Sequence, residues 1–503
     1  MKTATPHAIC SILLACGLAA GAPAARGTDD GGSPLGRQSF PDASGVLTTV
    51  SVNGPIDNTG AFFQSLGTNG RTCATCHVAN QAMSISARGV QERFAQTHGS
   101  DPLFAPVDGA NCPNAQQDSA ADHSLLLQHG LIRIFLEVPA GAPFKIRLVR
   151  DPYGCAITKD PSTGQQIVSV YRRPLPTTNL GFLSTIMFDG RETKEPLNVL
   201  ATFPIYLADD LTQQAIDAVS IHAQGTQPPS QDQLNDILNF EQGLYTAQSF
   251  DDAAGSLGAD GANGGPRYVA TDLSPAYYPG INDSLGADPD GVPFNPESMQ
   301  LYSAWAATAA NASPEALRRE QARRDIAAGE TLFGSAPVQI SNVRGLNDNP
   351  ALGNPTTFTG TCTTCHDTPN VGNHSFPLPL DIGTSHSPLP GAETDPNIAA
   401  GLAELSMPNL PLYWVTGCPN PFNAGQPESF YTTDPGKALI SGLCSDFNRG
   451  KGPILRGLAA RAPYFHNGAA ADLNELVNFY NQRFQMNLTA EQKRQLVAFL
   501  NSL

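Results

Sequence analysis

The sequence has little positive charge and, after its first residues, no long apolar run. Lys and Arg number 29 against 45 Asp and Glu, which gives the 503 residues a net charge of −16 at pH 7. No basic patch is evident, and the phosphate backbone would be repelled by such a surface. A membrane-spanning helix needs roughly 18 apolar residues in a row, and no later stretch reaches that length. We therefore expect neither a nucleic-acid partner nor a membrane span.

The first 24 residues have the features of a secretory signal. Lys2 precedes an apolar run over residues 8–20, and small residues follow up to Ala24. This pattern predicts a signal peptide at 1–24 and export to the periplasm. A lipoprotein is the alternative, because residues 13–16 resemble a weak lipoprotein cleavage box that would leave Cys16 as the lipidated terminus.

Two short stretches share the pattern Cys-x-x-Cys-His: "TCATCH" at 72–77 and "TCTTCH" at 361–366. This pattern is the attachment signature of c-type haem. One helical turn places both sulfurs on one side to bond the vinyl groups, and the next residue directs an imidazole at the iron. The sequence therefore predicts two covalently bound haem c groups, with His77 and His366 as iron ligands. The four attachment residues are Cys73, Cys76, Cys362 and Cys365.

Two other readings of these motifs are weaker. Structural zinc sites usually combine nearby Cys and His pairs and need no His adjoining the second Cys. A thioredoxin-like dithiol requires a βαβ context, which the sequence does not show.

Four further cysteines remain once the signal is removed: Cys112, Cys155, Cys418 and Cys444. Four cysteines allow three disulfide pairings in an oxidising compartment. We favour Cys112 with Cys155 and Cys418 with Cys444. Both members of the first pair lie between the two haem motifs, and both members of the second pair lie after the second motif.

A second feature repeats about 100 residues after each motif, as expected of an internal repeat. The stretches are "YRRPLPTTNLGFLSTIMFDGRE" at 171–192 and "GPILRGLAARAPYFHNGAA" at 452–470. Both are basic, contain proline and end in a tight turn. Their arginines are candidates for binding haem propionates, because a guanidinium binds a carboxylate with two hydrogen bonds. Simple surface solvation is the alternative for each of Arg172, Arg173, Arg191 and Arg456.

Helix signals and composition predict the domain organisation. Ser313 followed by Pro314 is typical of a helix start, as are Asp472 and the Thr489/Gln492 capping box. Residues 230–250 are predicted to be helical, since they carry an apolar stripe. A glycine-, proline- and aspartate-rich stretch follows. We predict a haem domain with an insertion at 25–250, a linker at 251–312 and a second haem domain at 313–503.

Several segments resemble the di-haem cytochrome c peroxidase and MauG superfamily, whose members are exported and carry two c-haem domains. Besides the two motifs they are "FDGRE" at 188–192, "LRGLAARAPYFHNG" at 455–468, "LNELVNFY" at 473–480 and "LTAEQKRQLVAFLNSL" at 488–503. The resemblance and the helix signals together predict a mainly α fold: two cytochrome c-like domains related by internal repeat, with long irregular loops.

The resemblance implies that one haem binds peroxide while the other relays electrons. In the peroxidases a glutamate downstream of the Asp-Gly-Arg turn is the distal acid. Here the corresponding "QQAIDAVSIHAQ" at 213–224 supplies His222 and Gln224 instead, and these become the candidate catalytic residues. His222 has two other readings: closing the sixth position of the iron, or a purely structural role.

The resemblance also bears on the other ligand of the second iron. MauG-like members use a tyrosine on the C-terminal helix, and matching that helix points to Tyr480. A core tyrosine beside Phe479 is the alternative. Met407 in "LSMPNL" is a competing ligand, although methionine often only fills a core. The family's inter-domain Ca²⁺ has no assignable residues, and Trp305 and Trp414 lie outside the region where the family has a tryptophan between the haems.

Three functions follow, in decreasing order of support. The first is a periplasmic peroxidase or MauG-like oxidoreductase that reduces hydrogen peroxide through high-valent haem iron. Its electrons would come from a small redox protein, such as a cytochrome c or a cupredoxin, or from a small-molecule donor. The second is a non-catalytic di-haem electron carrier. The third, a structural protein with a non-haem metal or disulfides only, is disfavoured by the doubled motif.

Overall fold

Small antiparallel sheets and helices together build the chain. The computed structural model describes residues 35–194, 206–273, 276–277, 281–282, 291–307, 313–366, 369–372, 378–389, 391–392, 395–423 and 426–503. The predicted signal peptide at 1–24, with Cys16, lies outside the described residues.

The first sheet has the strand order β1-β2-β7-β8, and every neighbouring pair is antiparallel. Its strands are β1 (Gly36–Pro41), β2 (Gly45–Ser51), β7 (Leu244–Asp251) and β8 (Gly255–Ser256). The side chains of Thr49 and Thr246 hydrogen-bond across β2 and β7 at 2.8 Å. The sheet therefore joins the start of the described chain to a segment about 200 residues later.

Two three-stranded sheets form a second β region. One has the order β3-β6-β5 and the other β12-β11-β4. The strands are β3 (Ile132–Glu137), β4 (Lys145–Arg150), β5 (Ile157–Lys159), β6 (Gln166–Arg172), β11 (Leu412–Pro419) and β12 (Pro427–Thr432). Because β4 pairs with β11, the two halves of the chain share one sheet. A separate hairpin pairs β9 (Val338–Ile340) with β10 (Phe358–Gly360).

The helices of the described residues lie between and after these strands. They are α1 (Ala87–Thr97), α2 (Ser124–His129), α3 (Leu207–Ile221), α4 (Gln231–Gly243), α5 (Pro266–Thr271), α6 (Pro314–Ser335), α7 (Pro396–Leu402), α8 (Ala438–Ser441), α9 (Leu473–Arg483) and α10 (Ala490–Asn501). Three-residue 3₁₀ turns punctuate the loops, and two of them begin at the cysteines of the haem motifs.

The predicted helix starts are confirmed. The Ser313 hydroxyl accepts from the amide of Ala316 at the start of α6, and the Asp472 carboxylate caps α9. Thr489 and Gln492 form the predicted capping box of α10. Each cap satisfies amides that the first helical turn leaves without partners.

The prediction of one helix over 230–250 is wrong at its end. The capping box at Ser230 starts α4 as expected, but the helix stops at Gly243 and the chain continues as β7. The reason is tertiary: residues from Leu244 onward pair with β2, and the backbone hydrogen bonds of that pairing replace the helical ones.

Both favoured disulfides are confirmed, Cys112 with Cys155 and Cys418 with Cys444.

Residues Leu35–Leu503 belong to one compact unit. The division into two haem domains with a linker at 251–312 stays a prediction, as does the mainly α class. In the described residues, no helix is long and apolar enough to cross a membrane.

Helices α6, α9 and α10 pack around one core, which includes Phe333, Val477 and Phe499. Gly329 of α6 lies where α10 crosses it, and a Cβ there would overlap the carbonyl oxygen of Gln495. The close crossing of the two helices therefore requires glycine at this position.

Gly329→Ala tests this crossing. Alanine stabilises a solvated helix by up to about 1 kcal/mol relative to glycine. Here we expect a net destabilisation of about 1–3 kcal/mol, because α10 must move away from α6. Thermal unfolding measures the effect, with the exposed Arg318→Ala on the same helix as the control, for which a change within about 0.5 kcal/mol is expected. An unchanged or raised melting temperature for Gly329→Ala would contradict the close crossing.

Candidate functional site

The two Cys-x-x-Cys-His motifs adopt the same local structure. Each begins with a 3₁₀ turn, Cys73–Thr75 or Cys362–Thr364, behind a threonine whose backbone N–H donates to the hydroxyl of the threonine three residues later. The amide of each histidine then donates to the carbonyl of the first cysteine, at 3.0 Å for His77 and 2.9 Å for His366. The turn brings both cysteines and the histidine of a motif to one cavity.

One large cavity adjoins each motif. The N-terminal cavity, lined by Cys73, Cys76 and His77, encloses about 1390 Å³ of empty space counted to its open mouth. The C-terminal cavity, lined by Cys362, Cys365 and His366, encloses about 1830 Å³ on the same measure. Helices α3 and α4 wall the first cavity, and α6, α9 and α10 wall the second.

Burial holds both histidines in the form that binds a metal. It lowers the pKa of His77 and of His366 to about 4, so each imidazole is neutral near pH 7. The Nδ1–H of His77 donates to the Met83 carbonyl at 3.1 Å, which puts the ring proton on Nδ1 and leaves Nε2 as the nitrogen that would bind a metal. His366 Nδ1 has no hydrogen-bond partner among the described residues.

The four motif cysteines are protonated thiols in these surroundings. Burial raises the pKa of Cys76 to about 11 and that of Cys73, Cys362 and Cys365 to about 12. Such values disfavour a reactive dithiol. Two thiols and a neutral imidazole beside a large apolar cavity fit a covalently attached haem in each site.

A hydrogen-bonded pair, the partly exposed His222 and the buried Asp108, adjoins the N-terminal cavity. His222 follows α3, lines the cavity and hydrogen-bonds through Nδ1 to the carboxylate of Asp108. Asp108 also pairs with Arg71, and the side chains of Asp108 and Arg71 are only 1% and 3% exposed. Burial alone would raise the pKa of Asp108, but the hydrogen bond and charge of His222, with Arg71, outweigh it and lower the pKa. The carboxylate is therefore ionised and fixes the orientation of the His222 ring.

Asp108 and Arg71 were not predicted from the sequence. Asp108 lies in the long insertion after the first motif, 114 positions before His222, and no spacing connects the two. Arg71 stands just before the motif, and that adjacency is the only signal that could have suggested it.

Gln224 does not line either cavity. Its side-chain oxygen accepts from the Asn69 amide at 3.3 Å, and its backbone has a left-handed φ of 54°. The structure thus brings His222, but not Gln224, to the N-terminal cavity, and a catalytic role for Gln224 stays a prediction.

The two predicted ligands of the second iron lie in different places. Tyr480, on α9, lines the C-terminal cavity together with His366. Burial and the neighbouring Cys362 and Cys365 raise its pKa, so the phenol is protonated unless a cation faces it. Met407 lies between α7 and β11 and does not line the cavity, whereas Met486, which the sequence reasoning missed, does.

Of the arginines predicted to bind propionates, Arg172, Arg173 and Arg191 line a cavity and Arg456 does not, and propionate binding stays a prediction. Arg172 is bidentate to Asp434, at 2.7 and 2.9 Å, and also pairs with Asp189. Arg456 does not line the C-terminal cavity, and one of its nitrogens donates to the Pro369 carbonyl. The cations that do line the cavities are Arg71, Arg172, Arg173, Arg191, Arg461 and Lys451.

A buried acid, Glu241 of α4, also lines the N-terminal cavity and was missed from the sequence. Burial raises its pKa to about 8, so it is largely protonated at neutral pH.

For calcium, the described residues contain no group of three or more His, Cys, Asp or Glu side chains that could hold a metal ion.

Comparison with known proteins connects part of the chain to one class. No protein-family model matches it. Over 145 residues the chain is similar to a cytochrome-c peroxidase, with 34% identity covering 26% of this chain. That relative is cytochrome-c peroxidase IdrP2 of Denitromonas iodatirespirans, and the alignment covers 35% of it, so the chain spans about a third of its length. The similarity to part of a cytochrome-c peroxidase agrees with the haem c groups that the two motifs predict.

Replacing the cysteines of one motif at a time tests the two attachment sites. Protein from cells competent in cytochrome maturation should exceed its polypeptide mass by two haems. Cys73→Ser with Cys76→Ser, and Cys362→Ser with Cys365→Ser, should each lose one haem, because each motif supplies its own thioether bonds. Intact-protein mass spectrometry reads the result, and each double variant serves as the control for the other. A wild-type mass equal to the bare polypeptide would contradict haem attachment.

Proposed function

We propose that the chain is a periplasmic di-haem peroxidase or MauG-like oxidoreductase that reduces hydrogen peroxide. Peroxide is reduced in the N-terminal cavity, and electrons arrive through the C-terminal cavity. The observation that carries this assignment is the His222–Asp108 pair at the wall of the cavity that holds His77. The similarity to a cytochrome-c peroxidase supports the class.

Each haem, when bound, supplies an iron atom that exchanges single electrons and, at an open position, binds peroxide. The overall reaction consumes one hydrogen peroxide, two electrons and two protons and yields two water molecules. The chain must therefore move protons between the two peroxide oxygens and deliver protons from solvent.

His222 is the proton carrier in this proposal. Asp108 accepts the Nδ1–H bond, which leaves Nε2 as the basic nitrogen that takes a proton from one peroxide oxygen and returns it to the other. The ionised carboxylate of Asp108 stabilises the charged imidazolium formed in between, and Arg71 keeps that carboxylate in place.

The apolar lining of the N-terminal cavity, including Leu175, Leu183 and Ile186, restricts water around the reacting oxygens. In the C-terminal cavity, His366 and Tyr480 would be the protein ligands of the iron through which the electrons pass. The electrons come from a small redox protein, such as a cytochrome c or a cupredoxin, or from a small-molecule donor.

His222→Ala tests the assignment. We expect the rate constant of the reaction with hydrogen peroxide to fall about 10²–10⁴-fold, the usual contribution of a positioned acid–base group. Haem content should stay at two per chain, because His222 forms no attachment bond. Stopped-flow absorbance measures the rate, and His98→Ala, which removes an exposed histidine away from both cavities, is the control. Unchanged rates and spectra would assign His222 a structural role.

The same measurements separate the enzyme from an electron carrier. A carrier would hold two six-coordinate, low-spin haems that react with peroxide neither in the ferric state nor after one-electron reduction. Such spectra would remove the enzyme proposal and favour the di-haem carrier.

Tyr480→Phe tests the relay ligand. A phenolate oxygen favours ferric iron, so we expect its loss to raise the lower of the two haem reduction potentials and to change the ferric spectrum. Tyr431→Phe, on β12 outside the cavity, is the control. A redox titration and spectrum that match the wild type would exclude Tyr480 as a ligand.

A further inference from the structure

Among the residues that the structure describes, five line both cavities and form the wall between them: Arg173, Pro174, Leu175, Phe188 and Lys451. Two of the five are cationic. The guanidinium of Arg173 is occupied, because it donates to the carbonyls of His129, Ile85 and Arg461. The ammonium of Lys451 makes fewer hydrogen bonds.

The ammonium of Lys451 is buried without a carboxylate partner. The residue is 5% exposed, and none of the salt bridges among the described residues involves it. Its Nζ donates to the Thr185 carbonyl at 3.0 Å, which uses one of its three N–H bonds. Burial lowers the pKa of Lys451 to about 7, as expected of an ammonium that no anion compensates.

The backbone holds Lys451 in the shared wall. Its amide donates to the Phe188 carbonyl at 2.8 Å. The Phe188 ring is stacked on His466, with centroids 4.4 Å apart, and Arg172 lies over its other face at 4.9 Å. A Cβ at Gly450 would overlap this ring, so the residue before Lys451 must be glycine. The hydrogen bond to Phe188 and the packing of its ring against Gly450 therefore fix the backbone position of Lys451.

A charge in this wall acts on both cavities. Coulomb interaction falls off only as the inverse of distance, and the low-dielectric surroundings screen it weakly. Reduction adds an electron to a haem, and a nearby cation stabilises the added negative charge. The negative charge that reduction adds would in turn favour the protonated form of Lys451.

We propose that Lys451 is a shared electrostatic residue, whose ammonium faces both haem sites and raises the reduction potentials of both haems together. The proposal rests on the haem occupancy stated above under the proposed function. A single residue thereby shifts the potentials of the electron donor and the electron acceptor in the same direction.

Lys451→Gln and Lys451→Arg, measured by spectroelectrochemical titration, test the proposal. Glutamine removes the charge but keeps a donor for the Thr185 carbonyl, and arginine keeps the charge. In Lys451→Gln we expect both reduction potentials to fall, each corresponding to about a tenfold weaker reduction equilibrium, or 59 mV for one electron. Lys451→Arg should keep both potentials near those of the wild type. Lys493→Met, which removes a lysine that donates to Asn478 away from both cavities, should change neither.

Two results would overturn the proposal while haem is present: unchanged potentials in Lys451→Gln, or a fall in one potential only. Lys451→Met provides a second uncharged variant if the glutamine side chain perturbs maturation. A protein without haem would overturn both this proposal and the proposed function. Shifted potentials in a protein inert to peroxide would support Lys451 and overturn the peroxidase assignment alone.

Discussion

Burial of the two Cys-x-x-Cys-His motifs is the constraint on which the rest of the structure depends. It lowers the pKa of both imidazoles to about 4 and raises that of the thiols to about 11 or 12. Neutral ligands and unreactive thiols suit covalent haem attachment better than thiolate chemistry. The helices and strands form the walls of one apolar cavity beside each motif.

Buried charges connect those walls across the sequence. Arg172, at the end of β6, pairs with Asp189 nearby and with Asp434, 262 positions later. A buried cation is tolerated when carboxylates surround it, and removing one partner leaves a costly unpaired charge. The network fixes the loops that carry Phe188, which lines both cavities, and His466, which lines the C-terminal cavity. Outside this network, Lys451 is a buried cation whose hydrogen bond reaches only a carbonyl oxygen, as do those of Arg173 and Arg461.

Local sequence signals predicted much of the helical part. Helix caps depend on side chains three residues apart, so Ser313, Asp472 and Thr489 could be recognised without knowledge of the fold. The strand pairs that join distant segments could not, because their pairing is non-local: β7 pairs with β2 and β4 with β11. For the same reason the end of α4 was misplaced, since pairing with β2 overrides the apolar stripe that continues past Gly243.

For the site, the sequence alone determined what depends on short spacing: the two motifs, and the histidines at 77 and 366 that follow the cysteines by one residue. It also favoured the correct disulfides and pointed to His222 and Tyr480, which the fold brings to the two cavities. Only the tertiary structure decided which side chains contact each other in the two cavities and how deeply each is buried. Asp108, Glu241, Met486 and Lys451 acquire their roles from burial and from contacts between segments distant in sequence, and neither residue type nor spacing records these.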